Sequence, residues 1–301
     1  MRKIQYEIPA EYSERPLLHF LKGHLNLSAN IIKSLRHTPQ SVFINGTPSR
    51  VIDKVFCDDT VTLIYPEKTN APLLWDTPID ILYEDEDLLV VNKPSGVSSH
   101  PTYNHPNFTL SNAVASYMQK TYNTSSAARA VGRLDKVTSG VMIFSKNALC
   151  AWKLNGHMDK TYHAVVWGEL HDCGTVDAPI YRPDFNKTVR AVGENGDNAI
   201  TNWEALASAE GKSFLKIHTL TGRTHQIRVH MAHIGHPLLG DEMYGGEATE
   251  WVKRACLHCT SITVIHPVKN EEMTFIAPFP EDIKKELKKS GLTVDKQKLF
   301  C

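Results

Sequence analysis

Short β-type runs follow one another along most of this chain, with too few helical stretches between them for a regular strand–helix–strand alternation. Residues 79–83, 88–92, 141–145, 161–167, 199–208, 213–220, 261–265 and 273–277 each carry the β-branched or alternating pattern of a strand. Helical spacing is confined to residues 109–122, 148–158 (with Asn147 as cap), 224–234 and a closing basic amphipathic stretch at 281–289. That order predicts an α+β fold rather than a parallel α/β one. The length, 301 residues with 42% hydrophobic, gives room for about two domains and excludes global disorder.

The first 65 or so residues read as a separate small unit. Leu17, Leu18, Phe20, Leu21 and Leu25 recur at helical spacing after Pro16. Ser28 caps a second short helix carrying Ile31, Ile32 and Leu35. Val42-Phe43-Ile44 then runs into Asn45-Gly46, a hairpin signal because both turn residues accept positive φ, and a short strand follows at 61–65. Pro-punctuated residues 66–78 form a linker or docking segment, which divides the chain into units 1–68 and 69–301. Lys33 and Arg36 sit near the end of the second helix; they suit an RNA backbone and equally a solvated face.

Lys plus Arg and Asp plus Glu both total 33, so an anionic partner must be met by a local patch, not by the whole surface. No apolar run is long enough to span a bilayer, and residues 1–12 lack a secretory or transit pattern, so a cytoplasmic protein is expected. Cys256 and Cys259 make a lone C-x-x-C without a second pair; they read as buried thiols. His230, His233 and His236 are interrupted by Gly235 and Pro237 and lack an H-e-x-x-h frame, so no metal site is expected. Phosphate-loop, dinucleotide and nucleophile-elbow motifs are absent.

Three segments carry charge where the pattern predicts burial. In residues 131–140 a lone carboxylate, Asp135, lies between Arg133 and Lys136, ahead of the apolar run Val141-Met142-Ile143-Phe144 and flanked by Gly132 and Gly140. This is either a presented carboxylate kept ionised by its neighbours or an ion-paired loop that caps a core strand. In residues 220–230 a strand ends, Gly222 turns the chain, and Thr224 can cap a helix. Arg223 at that helix start is locally unfavourable unless it serves a carboxylate or phosphate. In residues 160–168, Tyr162, Ala164 and Val166 share one strand face, so Tyr162 is a core residue or a site aromatic.

Together these segments resemble the RluA-type RNA pseudouridine synthases. The family motif, approximately His-Arg-Leu-Asp-x-x-Thr-Ser-Gly, stands here as Gly132-Arg133-Leu134-Asp135-Lys136-Val137-Thr138-Ser139-Gly140. Asn92-Lys93-Pro94-Ser95-Gly96, Lys160-Thr161-Tyr162-His163-Ala164, Gly222-Arg223-Thr224-His225-Gln226-Ile227-Arg228, and His236-Pro237-Leu238-Leu239-Gly240-Asp241 with Tyr244-Gly245 follow the family pattern, as do Leu257-His258 and His266-Pro267. Gly132 replaces the usual His, and Val137 a commonly acidic residue. The front unit resembles the S-four-like RNA-binding module, with Leu18 where an acidic residue is frequent.

The resemblance implies an α+β pseudouridine synthase domain with a mixed, largely antiparallel sheet and a central cleft, preceded by that module. It implies an isomerase that breaks the ribose-to-nitrogen bond of a uridine and rejoins the uracil through carbon, with neither cofactor nor metal. Asp135 would attack the sugar or take a proton from it. Arg223 would pair with Asp135, and Tyr162 would pack against the uracil and help take the proton from its carbon. Arg133 would fill the gap left by the extruded nucleotide. Lys93, Thr138, Arg228, Lys33 and Arg36, with Lys253-Arg254, are the remaining expected RNA contacts. The front module points first to large-subunit ribosomal RNA and second to transfer RNA, with a monomer as the default state. A non-catalytic RNA-binding or ribosome-assembly protein on the same scaffold would not need the trio of Asp135, Tyr162 and Arg223. A glycosidase would need a second acid linked to Asp135.

Overall fold

A computed structural model of the chain describes residues 2–65, 73–102, 106–123 and 128–294. The front unit consists of β1 (Arg2–Glu7), β2 (Arg15–Pro16), α1 (Leu17–Gly23), α2 (Ala29–His37), β3 (Val42–Ile44), β4 (Thr47–Pro48), β5 (Lys54–Val55) and β6 (Thr60–Tyr65). Its sheet runs in the order β1-β6-β3-β4. Ser28 caps α2, accepting from Ile31 N, and the Asn45-Gly46 turn has φ of 50° and 77°, as its sequence requires. The sequence reading began this unit with a helix; the structure puts β1 in front, antiparallel to β6 from Arg2↔Tyr65 to Glu7↔Thr60. The alternation in Arg2–Glu7 is real, with the odd residues exposed, but its partner lies more than fifty residues on. Part of the expected linker, residues 66–72, and the 68/69 boundary within it lie outside the described residues.

The larger unit holds β7 (Asp80–Glu84), β8 (Leu88–Lys93), α3 (Leu110–Tyr122), β9 (Arg129–Val131), β10 (Ser139–Ser145), α4 (Ala148–Leu154), β11 (Asp159–Trp167), β12 (Cys173–Asp177), β13 (Ile180–Tyr181) and β14 (Ala191–Val192). β15 (Ile200–Ala209), β16 (Lys212–Thr219), α5 (Gln226–His233), β17 (Leu257–Ile265), β18 (Glu272–Ile276) and α6 (Glu281–Lys289) complete it. Ten strands form one sheet in the order β12-β15-β16-β11-β17-β10-β8-β7, with β18 on β17 and β9 on β10. Only the β10–β17 pair is parallel among these pairings, so the sheet is mixed and largely antiparallel. The α+β architecture is as expected. β12 and the small β13–β14 hairpin were not anticipated: the hairpin's strands are two residues each, and β12 (Cys173–Asp177) carries little apolar pattern.

β10 is buried along its whole length, as its run of Val141 to Phe144 demands. It packs with Leu88–Val91, Val114, Ala164, Leu215 and Ile217 into one core. Gly140 allows the parallel contact: it has φ of 120°, and a Cβ there would lie 2.1 Å from Cys259 O. The front unit has its own core, which Leu149 and Trp152 of α4 help to close. No helix among the described residues is long and apolar enough to cross a membrane.

Candidate active site

The loop between β9 and β10 carries Asp135, and its backbone is pinned from both sides. Ser99 Oγ donates to Leu134 O at 2.6 Å and accepts from Leu134 N at 3.0 Å. Gly96 N donates to Lys136 O at 2.8 Å. Val137 O accepts from Ser95 Oγ at 3.0 Å and from Arg254 Nη1 at 3.1 Å. Thr138 N closes the turn on Asp135 O at 3.1 Å. With its neighbours fixed in this way, the carboxylate is presented by a rigid support. Gly132 begins the loop with φ of 71°, and a side chain there would press on Lys160 Nζ and Met158 Cε, both 3.1 Å from the added carbon.

α5 supplies the opposite wall. Its entry is set by Gln226 and not by the expected Thr224 cap. Gln226 Oε1 accepts from Thr221 Oγ1 at 2.7 Å and Arg223 N at 3.0 Å, while its Nε2 donates to Ile200 O at 2.9 Å and Thr201 Oγ1 at 3.0 Å. His225 takes a left-handed backbone, φ 59°, and α5 starts at the next residue. This turn separates the two arginines. Arg223 lines the cleft, but its guanidinium is engaged away from Asp135, with Nε donating to Asn198 O at 2.9 Å and Nη1 3.6 Å from Asp197 Oδ2. Arg228, one turn into a buried helix, points inward.

Arg228 therefore corrects the expected pairing. Its Nε and Nη2 donate to Asp241 Oδ2 at 2.7 Å and Oδ1 at 2.6 Å, and its Nη1 lies 3.6 Å from Asp135 Oδ2. Burial opposes its charge, but the Asp241 hydrogen bonds and the nearby Asp135 outweigh that and hold its pKa above the usual arginine value. At 4% exposure it is unavailable to a phosphate, so the expected RNA contact at Arg228 is replaced by a carboxylate clamp. A charged residue on a helix face with buried Ile227 and Met231 was the signal that this Arg had to be paired. Asp241, 2% exposed, is the anchor that the sequence did not expose as such.

Two further expected contacts turn out to be structural. Lys93 is fully buried, and its Nζ donates to Pro94 O at 2.8 Å, Val97 O at 2.7 Å and Lys136 O at 3.3 Å. Burial, with the Arg254 charge next, brings its pKa down to about 7. It ties the 94–97 turn to the Asp135 loop and cannot meet RNA. Thr138 is 2% exposed, and its hydroxyl has no hydrogen-bond partner among the described residues. Arg133 stays exposed at the cleft and bonds Thr224 Oγ1 across it. Lys33 and Arg36 are exposed on α2. Arg254, partly buried, is committed to Asp282 at 2.7 Å and to backbone carbonyls.

Tyr162 enters from β11, where the pairing with β17 shifts register between Thr161 and Tyr162. It is 8% exposed, lines the cleft with Asp135, and its phenol is pushed well above its ordinary pKa by burial, then by Cys259 and Asp135. His225 completes the wall, with Nε2 3.9 Å from Asp135 Oδ2 and Nδ1 2.8 Å from Tyr244 Oη. The open cleft has a volume of about 340 Å³ and is lined by Arg133, Asp135, Lys160, Tyr162, Arg223 and Arg228 among others. It suits a single flat heterocycle with its sugar. Another group of possible metal donors, Asp85, Asp87 and His266, is internally paired: Arg2 and Asn147 bond Asp87, while His266 and Lys269 lie within 3.0 Å of Asp85.

The family model described as RNA pseudouridylate synthase matches residues 87–233. An uncharacterised RNA pseudouridine synthase of Bacillus subtilis, YjbO, is 36% identical over 274 residues, 88% of this chain and 96% of its own. A protein of Haemophilus influenzae named ribosomal large subunit pseudouridine synthase D is 37% identical over 223 residues, 68% of each chain. Among solved structures, human RNA pseudouridylate synthase domain containing 4 superposes with a TM-score of 0.57 at 23% identity, over 70% of this chain and 93% of that one. The human domain-containing-1 homologue gives a TM-score of 0.54 over 72% and 96%.

Proposed function

From the premise that this chain belongs to the RluA-type RNA pseudouridine synthases and is an isomerase of that class, we propose that it converts uridine to pseudouridine in structured RNA, foremost large-subunit ribosomal RNA, with Asp135 as the essential carboxylate. The observation that carries this reading is the convergence on one cleft of Asp135 on a clamped loop, the Arg228 guanidinium 3.6 Å away, and the buried Tyr162 ring. Arg228, already fixed by Asp241, supplies a charge that keeps Asp135 anionic and aimed. Asp135 attacks the ribose and is later displaced, or removes a proton from it and later returns it, so that the C1′–N1 bond breaks and the uracil is freed; the base turns in the cleft and its C5 joins C1′, the C5 proton leaving to solvent while N1 takes one up. Nothing is oxidised, reduced or hydrolysed in that sequence. Tyr162 packs against the turning base and is the side chain placed to help take the proton from its carbon; burial works against its phenolate, so that proton transfer needs assistance from the bound substrate.

Arg133, exposed and free of any described carboxylate, suits the position vacated by the extruded nucleotide. The front unit, with Lys33 and Arg36 exposed on α2, serves as an S-four-like grip on the RNA backbone. The name of the Haemophilus relative supports large-subunit ribosomal RNA as the target class. The experiment is conversion of uridine in bulk RNA lacking the modification, with Asp135→Asn as the comparison. The wild type should form pseudouridine, and the variant should be inert with an unchanged thermal midpoint. Full activity of Asp135→Asn would overturn the assignment.

A further inference from the structure

The chemistry above leaves His225 unused, although it is the other group closest to the reacting carboxylate. Its backbone is left-handed, with φ of 59°, a conformation uncommon outside glycine that histidine tolerates better than most residues. Its hydrogen bonds favour one arrangement. Arg190 N–H donates to Tyr244 Oη at 3.0 Å. Tyr244 Oη, having accepted there, has a proton to give to His225 Nδ1, which lies 2.8 Å away. Burial lowers the His225 pKa against the opposing pull of Asp135, which favours the neutral ring. A neutral ring that accepts at Nδ1 carries its proton on Nε2, and Nε2 faces Asp135 Oδ2 at 3.9 Å. The Arg228 guanidinium, 5.0 Å over the Tyr244 ring, holds the phenol from its other side.

We propose that His225 is a positioning residue for Asp135, locked in its Nε2–H tautomer by the Arg190–Tyr244 hydrogen bonds so that it and Arg228 both engage Oδ2 and leave Oδ1 for the substrate. This rests on the reading of Asp135 as the reacting group. The approaches of Arg228 and His225 to Asp135, at 3.6 Å and 3.9 Å, are both to the same oxygen and both exceed hydrogen-bond length, so the proposed engagement requires them to shorten with substrate bound. The device also joins the β13–β14 hairpin, through the Arg190 backbone, to the carboxylate on the far wall.

The test is steady-state kinetics of full-length variants on one RNA substrate. His225→Asn tolerates the left-handed backbone but cannot reach Asp135. His225→Gln places an amide N–H nearer the Nε2 position. Tyr244→Phe removes only the hydroxyl. His225→Asn should lose ~10- to 100-fold in kcat with KM nearly unchanged, as expected when a reacting group is misaimed. Tyr244→Phe should fall in the same direction by less, and His225→Gln should recover part of the loss. Wild-type kcat in both His225→Asn and Tyr244→Phe, with Asp135→Asn inert, would overturn this role while leaving the proposed chemistry standing. A rise in KM at constant kcat would overturn it too, as would a His225→Gln no better than His225→Asn. Activity in Asp135→Asn itself would bring down the parent reading.

Discussion

Arg228 holds two carboxylates with one guanidinium, and substitution separates the two tasks. Arg228→Lys keeps a positive charge but loses the two-pronged bond to Asp241, so the charge is no longer held toward Asp135; kcat should fall by ~100-fold. Arg228→Ala also leaves Asp241 buried and unpaired, which costs about 3–5 kcal/mol, readable as a lower denaturation midpoint. Arg223→Ala, by contrast, removes an exposed contact to Asp197 and should leave the midpoint unchanged. Equal losses at the two arginines would contradict the geometry. Asp135 stood out in the sequence as a lone carboxylate between two cations and two glycines, which fits a presented group or an ion-paired cap alike, and the resemblance chose the first. The partner of Asp135 did not stand out, because both arginines lie in one short segment and the left-handed turn at His225 decides which points inward. Lys93 was misread for the same reason: a strand-end lysine looks exposed until the carbonyls that enclose it are seen. Its folded pKa of about 7 lies below the usual lysine value of about 10.4, so between these the unfolded chain binds a proton that the folded chain does not. Stability contributed by this group therefore rises with pH across that window. Lys93→Met should flatten the rise, measured as urea midpoints between about pH 6.5 and about pH 9.5.

At the scale of elements, the site depends on β10 lying against β17 at close range. Only two residue pairs, Ser139↔His258 and Gly140↔Cys259, make that parallel contact, and it lies directly after the Asp135 loop. Gly140→Ala would drive a methyl into Cys259 O and strain a φ of 120°. The strands must part, and the expected cost is about 3 kcal/mol or more, with activity lost in proportion to unfolding; a thermal midpoint within a degree or two of wild type would show that the pair yields freely. Such strands were readable where they were apolar and continuous, as in Val141 to Phe144, or alternating, as in Tyr162, Ala164 and Val166. The helices with side-chain caps were readable as well: Asn147 accepts from Cys150 N at 2.9 Å, and Thr109 forms a reciprocal cap with Asn112. α5 was placed correctly in outline, yet its start was not, because Gln226 anchors to Ile200 and Thr201 on a distant strand. The same non-local dependence hid β1, whose alternation gains meaning only beside β6.

For the whole molecule, the question is how the front unit is joined to the catalytic body. Arg2 of β1 bonds Asp87, a buried acid on the turn between β7 and β8, at 2.8 Å and 3.0 Å. Asp87 also accepts from the Asn147 side chain at 2.8 Å, and Asn147 caps α4. α4 in turn gives Leu149 and Trp152 to the front core. Two charged hydrogen bonds and a shared apolar surface fix the module on the body, so the cations of α2 keep one position relative to the cleft. If they grip the RNA backbone, removing them must change the salt dependence of binding before it changes the chemistry. Each phosphate contact contributes a slope of about −0.9 in log affinity against log salt for duplex nucleic acid and about −0.7 for a single strand. Lys33→Ala with Arg36→Ala should therefore reduce the slope by about one to two and weaken binding uniformly across RNA sequences, while single-turnover conversion at saturating enzyme is preserved. Filter binding across a salt series reads the slope directly. An unaltered slope would make α2 a solvated face, and the affinity would then have to come from the cleft alone. Arg2→Ala should give an intermediate result, with the cations intact but their placement loosened: a lower affinity at every salt concentration and a slope like that of the wild type.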